Sequence, residues 1–184
     1  MYVKRALLLL AFAAALRAAV PTPESHFGHK IGVDNELLDW DKVVSYFQAL
    51  EKSSDRIKFR ELGKTVEGRP QIAAIISSPA NIKNLEHYRD IQLRLSDPRK
   101  TTPAEAQKLF NEGKTIIMIT CSIHATEVAS THTAVEFAYR LLTEDNPKFK
   151  TILDNVIILL EPSQNPDGVD IVTKWYRKNE GHSL

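Results

Sequence analysis

The sequence predicts an α/β fold with a mixed, largely parallel sheet flanked by helices, and three consecutive segments carry that prediction. Thr115–Cys121 is an almost continuous apolar run, which is typical of a strand buried on both faces. Residues 127–143 repeat apolar side chains at helical spacing, and Val156–Leu160 is a second apolar strand. Strand, helix and strand in this order form a crossover unit, which joins parallel neighbours in a sheet. We therefore expect the chemistry at the carboxyl ends of these strands.

The earlier part of the chain supplies further elements around this crossover unit. Residues 57–62 alternate apolar and charged side chains, as a half-buried strand does, and residues 71–77 form a second strand. The segment between them is rich in turn-forming residues, so the two strands are predicted to form a hairpin. Helices are predicted over residues 40–50, 84–95 and 102–111, the last of which begins with Thr102 and a proline.

Residues 1–19 have the three parts of a secretory signal peptide. Two basic residues come first, residues 6–16 are apolar, and small residues follow. A retained signal anchor is the alternative, but the apolar run is shorter than the about 20 residues that cross a membrane. We predict a secreted or periplasmic protein without a membrane span in the mature chain. An extended lead-in is expected over residues 20–39.

Charge and cysteine content exclude several classes of protein. The 184-residue chain has 24 Lys and Arg against 23 Asp and Glu, a formal net charge of +1. This balance argues against nucleic acid or an anionic membrane surface as a partner. The single cysteine, Cys121, excludes an intramolecular disulfide framework. The stability of the one predicted domain must come from its apolar core, a metal or a partner, and the oligomeric state is left open.

A histidine and a glutamate stand where the first buried strand gives way to the helix. His124-Ala-Thr-Glu127 places an imidazole and a carboxylate three residues apart, across a tight loop and the first helical turn. Both groups are zinc ligands in hydrolytic sites, and the rim of a rigid sheet holds them with little freedom. The alternative is a helix-capping glutamate beside an incidental histidine. We interpret the pair as two ligands of a Zn²⁺ site.

A second motif, Asn165-Pro-Asp-Gly168, follows the second buried strand. All four residue types favour turns, so a simple β-turn is the alternative to a functional interpretation. Arg177 follows in the string Trp-Tyr-Arg-Lys. A planar guanidinium near a zinc site could polarise a carbonyl or stabilise an oxyanion. A surface arginine beside core aromatic residues is the competing interpretation.

Three further side chains are weaker candidates for a functional site. Cys121 precedes His124 by three residues, and we interpret it as a buried thiol at a strand end rather than as a Cys-x-x-His ligand. His132 lies within the predicted helix and is expected to be packed or exposed, not ligating. Ser130 has no base at a recognisable spacing, so serine hydrolysis has little support.

Taken together, these residues resemble the zinc carboxypeptidase family, peptidase M14, in the style of its bacterial, exported members. The resemblance covers residues 40–178 and includes the Glu67-Gly-Arg-Pro70 turn, then H-x-x-E, then N-P-D-G, then an aromatic-Arg-Lys string. It implies the α/β/α fold of that family, a Zn²⁺ cofactor and a peptide or protein substrate. His124 and Glu127 would be the first two zinc ligands. Arg177 would polarise the scissile carbonyl, and the N-P-D-G loop would be structural.

The later elements of the family have no match in this sequence. They are a third zinc-binding histidine, an Asn-Arg pair that binds the terminal carboxylate of the substrate, and a late glutamate that acts as general base. His182 follows Arg177 too closely to be the third ligand, and Glu180 does not occupy the position of the base. Residues 40–184 are therefore expected to be the N-terminal portion of such a domain. We expect an unpaired sheet edge, which favours aggregation or a partner.

Three functions are compatible with this resemblance. The first is metallocarboxypeptidase activity, the release of C-terminal residues from peptides, with the catalytic domain present only in part. The second is a non-catalytic remnant that keeps the sheet and binds peptides or cell-wall material. The third is an amide deacylase that uses the same zinc scaffold on small acylated amino acids. The Trp-Tyr-Arg-Lys string favours peptidases over deacylases.

Overall fold

A single four-stranded sheet organises the described residues, 19–180, of a computed structural model. The predicted signal peptide falls almost wholly on residues 1–18, outside the described residues. The strands are β1 (Ile57–Lys64), β2 (Pro70–Ile76), β3 (Thr115–Thr120) and β4 (Val156–Glu161). Their order across the sheet is β1-β2-β4-β3.

Strand directions within this sheet are mixed. β1 and β2 form the predicted antiparallel hairpin, and β2 also lies antiparallel to β4. β3 and β4 are parallel, with Thr115 opposite Val156 and Thr120 opposite Glu161. The predicted α/β class and mixed sheet are confirmed. In the described part, however, parallel pairing is limited to the crossover unit, because the hairpin brings β2 back against β4 in the opposite direction.

Helices flank both faces of the sheet. Their bounds in the described chain are α1 (Pro23–Phe27), α2 (Trp40–Ser53), α3 (Pro79–Lys83), α4 (Leu85–Ser96), α5 (Pro103–Glu112), α6 (Val128–Thr143), α7 (Pro147–Asn155) and α8 (Pro166–Asn179). The predictions of α2, α4, α5 and α6 are confirmed. Thr102 caps α5 in a reciprocal capping box with Glu105. None of the helices between residues 19 and 180 is long and apolar enough to span a membrane.

The main core lies between one sheet face and helices α2 and α6. Alternate residues of β2 and β4 point to this face, since side chains along a strand alternate between the two sides. The largest buried side chain, Trp40, also donates a hydrogen bond from Nε1 to the carbonyl oxygen of Pro70, at 2.9 Å. Helix α4 lies against the opposite face, which gives three layers. The core residues of the sheet and these two helices include Val43, Phe47, Leu50, Ile72, Ala74, Ile76, Val135, Ala138, Ile158 and Leu160.

The segment before α2 is part of this core and not an extended lead-in. Helix α1 lies within residues 20–39, and Thr22 caps it by accepting a hydrogen bond from the backbone of Ser25. Phe27 and Leu38 are buried in the main core. The sequence pattern does not indicate this packing, because Phe27 and Leu38 are separated by ten residues of mixed apolar, polar and turn-forming types, which give no periodic signal.

Strand β3 is an edge strand in the described part of the chain, which contradicts the prediction that both its faces are buried. Met118 is 61% exposed and Ile117 is 42% exposed. The prediction of a strand was correct, but an apolar run does not reveal how many neighbours cover it. Here only β4 pairs with β3 among the described residues.

Candidate metal centre

His124 and Glu127 lie in the loop of residues 121–127, between the end of β3 and the start of α6. The Nδ1 atom of His124 is 2.8 Å from Oε1 of Glu127. The backbone N–H of His124 donates to Oε2 of the same carboxylate, at 3.2 Å, and the N–H of Glu127 donates to the carbonyl oxygen of His124, at 3.0 Å. The structure therefore brings the two predicted ligands together at the carboxyl end of a strand. We call residues 121–127 the metal loop.

The chemical state of the Glu127 side chain suits a metal ligand. The hydrogen bonds from the ring and the backbone of His124 hold the pKa of this carboxyl below its ordinary value. The group is therefore ionised at neutral pH. Glu127 is the N-cap residue of α6 but its side chain makes no capping hydrogen bond, which argues against the simple helix-capping interpretation.

A cluster of hydroxyl groups fixes the metal loop to the first turns of α6. Ser122 is buried and has a left-handed backbone conformation, with φ +46°. Its Oγ donates to the carbonyl oxygen of Glu127, at 2.8 Å, and its N–H donates to Oγ of Ser130, at 3.0 Å. Oγ1 of Thr131 donates to Oγ of Ser122, at 2.8 Å. Sequence reasoning missed Ser122, because its partners become neighbours only after strand, loop and helix have folded together.

The Asn165–Gly168 motif supports the metal loop from outside. It forms the N-cap and first turn of α8, not an isolated turn, since Oδ1 of Asn165 accepts the N–H of Gly168, at 2.9 Å. Nδ2 of Asn165 donates to the carbonyl oxygen of Ile123, at 3.2 Å. A Cβ on Gly168 would lie 2.8 Å from Cβ of Ala125, so only glycine allows this close approach. The motif thus holds the residues on both sides of His124.

Arg177 stands in the last turn of α8, away from the hydrogen bonds of the metal loop. Its guanidinium forms an ion pair with Asp39 and donates from Nη2 to the carbonyl oxygen of Leu37, at 2.8 Å. These are its hydrogen-bond partners in the described part of the chain, and neither His124 nor Glu127 is among them. These two bonds use two of the five N–H donors of the guanidinium, and the side chain is 44% exposed.

The structure shows the environment of each of the three weaker candidates, Cys121, His132 and Ser130. Cys121 is half-buried, and burial with the nearby Glu161 raises the pKa of its thiol, which keeps the thiol protonated. His132 is buried in α6, where Nε2 accepts the backbone N–H of Leu38, at 3.3 Å. That neither residue is a metal ligand stays a prediction. Ser130 belongs to the hydroxyl cluster, and His182 lies outside the described residues.

The donor set fits zinc in kind and is incomplete in number. An imidazole and an ionised carboxylate are ordinary zinc ligands, so His124 and Glu127, whose Nδ1 and Oε1 atoms lie 2.8 Å apart, would be the residues that hold the ion. Catalytic zinc sites usually have three protein ligands and a water. Within residues 19–180 no group of three or more His, Cys, Asp or Glu side chains could hold a metal ion. The described residues therefore supply two ligands.

Space for a ligand exists beside this pair. An open pocket of about 460 Å³ adjoins the metal loop, and its lining includes Cys121, Ile123, Glu127 and Gln164. Its walls come from the end of β3, the start of α6 and the segment that follows β4. The two strands of the crossover unit thus deliver their carboxyl ends to one concave surface, as is usual for ligand sites in α/β sheets.

Comparison with known proteins shows the family to which the chain belongs. The family model described as zinc carboxypeptidase, peptidase M14, matches residues 43–183. The chain belongs to the zinc carboxypeptidase family. The predicted resemblance is therefore confirmed. No curated protein sequence matches the chain significantly.

Solved structures show the same fold in members of the zinc carboxypeptidase family. Thrombin-activatable fibrinolysis inhibitor matches with a TM-score of 0.58 at 15% identity, over 87% of this chain and 31% of that one. Carboxypeptidase A from Helicoverpa armigera matches with a TM-score of 0.50 at 20% identity, over 80% of this chain and 27% of that one. Bovine thrombin-activatable fibrinolysis inhibitor, in a complex with tick carboxypeptidase inhibitor, matches with a TM-score of 0.50 at 16% identity, over 78% of this chain and 36% of that one. The chain spans about a third of the length of these structures.

Proposed function

We propose that residues 40–184 are the N-terminal portion of the catalytic domain of an exported zinc metallocarboxypeptidase, which removes C-terminal residues from peptides or proteins. The observation that carries the proposal is the His124–Glu127 pair, with Nδ1 and Oε1 2.8 Å apart at the carboxyl end of β3, in a chain that belongs to the zinc carboxypeptidase family. Export rests on the signal-like composition of residues 1–19.

In this proposal His124 and Glu127 hold the zinc ion. When bound, zinc would act as a Lewis acid on a carbonyl and lower the pKa of a coordinated water. The chain itself contributes two fixed ligands, because the hydroxyl cluster of Ser122 and the first turn of α8 immobilise the metal loop. The pocket beside Glu127 gives room for the end of an extended peptide.

Arg177 is proposed to polarise the scissile carbonyl of the substrate. The proposal rests on the resemblance to the family and on the chemistry of a planar cation with a fork of donors. In the structure the guanidinium is held by Asp39 and by the carbonyl oxygen of Leu37. The proposed role would use the N–H donors of the guanidinium that these two bonds leave over.

A metal-binding titration of the full chain tests the proposal. Zinc should bind stoichiometrically, and His124→Ala and Glu127→Gln should each abolish the binding. The matched control is the exposed pair His87–Glu112, with Nε2 and Oε1 3.0 Å apart, because it has the same two side-chain types outside the metal loop. His87→Ala should leave zinc binding unchanged. Equal loss of zinc from both histidine variants would contradict the assignment of the site.

Peptide hydrolysis by the chain alone should be slow or absent. Two protein ligands hold zinc less well than three, and within residues 19–180 no third ligand joins them. A carboxypeptidase assay with zinc and a C-terminally labelled peptide measures this. Rapid turnover that His124→Ala abolishes would show that the chain carries a complete catalytic set.

The incomplete ligand set also favours a second candidate function, a non-catalytic protein that uses the same surface to bind peptides or cell-wall material. This candidate predicts peptide binding that neither zinc nor the His124→Ala substitution changes. Isothermal titration with and without zinc separates the two candidates, since the metallopeptidase requires zinc-dependent binding.

A further inference from the structure

We infer that Arg69 and Asp167 are positioning residues for the metal loop, acting through the first turn of α8. Residues 65–69, which form the turn of the β1–β2 hairpin, are called the hairpin turn. They bind charged side chains of α8. Helix α8 in turn holds the backbone on both sides of His124. As far as it concerns a metal, the inference rests on the proposed function.

The carboxylate of Asp167 accepts three hydrogen bonds from the hairpin turn. Oγ1 of Thr65 donates to Oδ1 at 2.7 Å, and Nη1 of Arg69 donates to the same oxygen at 2.8 Å. The backbone N–H of Glu67 donates to Oδ2 at 3.3 Å. Although partial burial alone would raise it, the pKa of Asp167 lies below its ordinary value because of the bonds from Thr65 and Arg69. The carboxylate is thus charged at neutral pH.

Arg69 contacts α8 over one full turn of the helix. Besides Asp167, its guanidinium binds Oδ2 of Asp170, with Nε at 2.9 Å and Nη2 at 2.7 Å. Lys174 pairs with the same carboxylate from the next turn of α8. Asp170 is buried and Arg69 is largely shielded. A planar guanidinium that bridges two carboxylates fixes both position and rotation of a helix, which a single point charge cannot do.

The fixed turn of α8 is the one that contacts the metal loop. Asp167 lies between Asn165, which donates to the carbonyl oxygen of Ile123, and Gly168, which packs against Ala125. These three residues belong to a single turn, closed by the bond from the N–H of Val169 to the carbonyl oxygen of Asn165, at 3.0 Å. A rotation of that turn would separate Asn165 from Ile123 and release the peptide group before His124.

The competing explanation is that the Arg69–Asp167 contact stabilises the fold as a whole. In that case its loss lowers the free energy of unfolding without loosening the metal loop in particular. The two explanations differ in where the chain opens, so local hydrogen exchange separates them while a global unfolding measurement does not.

The test compares Asp167→Asn and Arg69→Gln with the control Thr102→Ala in the full chain. Thr102→Ala removes the capping box of α5, which lies outside the metal loop and α8. Hydrogen exchange followed by mass spectrometry should show that amides of residues 121–127 exchange at least about tenfold faster in both positioning variants. The control should leave them unchanged. Zinc affinity from competition with a chromophoric chelator should fall roughly tenfold in the positioning variants only, the effect typical of residues that orient ligands.

Two results would overturn the inference. One is unchanged exchange of residues 121–127 in Asp167→Asn and Arg69→Gln. The other is equal acceleration in Thr102→Ala, which would assign the effect to global stability. If the unaltered chain binds no zinc, the proposed function fails, and the exchange measurement still decides whether Arg69 and Asp167 position the loop.

Discussion

The side-chain amide of Asn165 donates a hydrogen bond to the carbonyl oxygen of Ile123, the residue immediately before His124, at 3.2 Å. The same side chain caps α8 through Gly168. One residue therefore serves both as a helix cap and as a support for the candidate metal centre. Two sequence motifs that are far apart in the chain act as one structural unit at the rim of the sheet.

Replacement of Gly168 by alanine should destabilise the protein. The added Cβ would lie 2.8 Å from Cβ of Ala125 and 2.6 Å from Nδ2 of Asn165, so either the metal loop or the cap must move. Overpacking of this kind costs about 1–3 kcal/mol. Urea denaturation should show this loss for Gly168→Ala. Lys178→Ala, at an exposed position of the same helix, should change the free energy of unfolding by less than about 0.5 kcal/mol. Equal stabilities of the two variants would contradict the close contact.

Ser122 should be more sensitive to alanine than to glycine. Both substitutions remove the hydroxyl that bonds Glu127, Ser130 and Thr131, at a cost of about 1–3 kcal/mol for the groups left without a partner. Alanine also keeps the strain of a left-handed backbone at φ +46°, which glycine relieves. Denaturant titration should therefore rank wild type above Ser122→Gly and Ser122→Gly above Ser122→Ala. The reverse order of the two variants would show that this backbone conformation is not retained in solution.

Stability should fall as the pH falls below about 6.5, in part because of His132. Burial, together with the nearby His29, lowers the pKa of His132 from its ordinary value of 6.5. The unfolded chain therefore takes up a proton at a higher pH than the folded chain, and protonation favours unfolding in the interval between the two values. The neutral ring is also required to accept the N–H of Leu38. Thermal unfolding at pH 5.0 to 7.5 measures the slope.

His132→Gln provides the control for this pH dependence. A glutamine side chain can accept a hydrogen bond from Leu38 and does not titrate. The slope of stability between pH 5.0 and 6.5 should be smaller in the variant than in the wild type. Identical slopes would assign the pH dependence to other groups.

The exposed edge of β3 should cause self-association of the chain. Met118 is 61% exposed and lies on β3, which in the described part is paired with β4 along one edge only. The unpaired edge of a strand can pair with a strand of another molecule. Met118→Lys should reduce the mass measured by light scattering at micromolar concentration. Leu93→Lys, at a residue of α4 that is 55% exposed, should have a smaller effect because it lies on no strand edge. A monomeric wild type at these concentrations would contradict the prediction.

All four strands and four of the eight helices in the described part of the chain could be predicted, because their signals are local. The apolar run of β3 and the cap of α5 at Thr102 each lie within one short window. Helix α7 was not predicted, although Asn146 and Pro147 form a recognisable start, because its nine residues are too few for an apolar period to repeat. The exposure of β3 could not be predicted, because it depends on which strands lie beside it.

In the candidate site, too, the features that are local in the sequence could be predicted and the long-range contacts could not. His124 and Glu127 are three positions apart and directly follow an apolar strand, so a local pattern indicated a shared ion. Asp167 accepts from Arg69 across 98 positions, and Arg177 reaches Asp39 across 138. Contacts at such separations have no signature in a single sequence. The ligands could therefore be proposed from the sequence, whereas the residues that hold them in place could not.

The support of the metal loop also sets an order for events during synthesis. Asn165 follows Ile123 by 42 positions, so a ribosome that adds about 5–20 residues per second produces it roughly 2–8 s later. Until then the nascent chain carries His124 without the peptide anchor before it. A metal encountered in that interval would meet a loop that lacks this anchor. In the proposed function, zinc would therefore be held firmly only after α8 has emerged and docked.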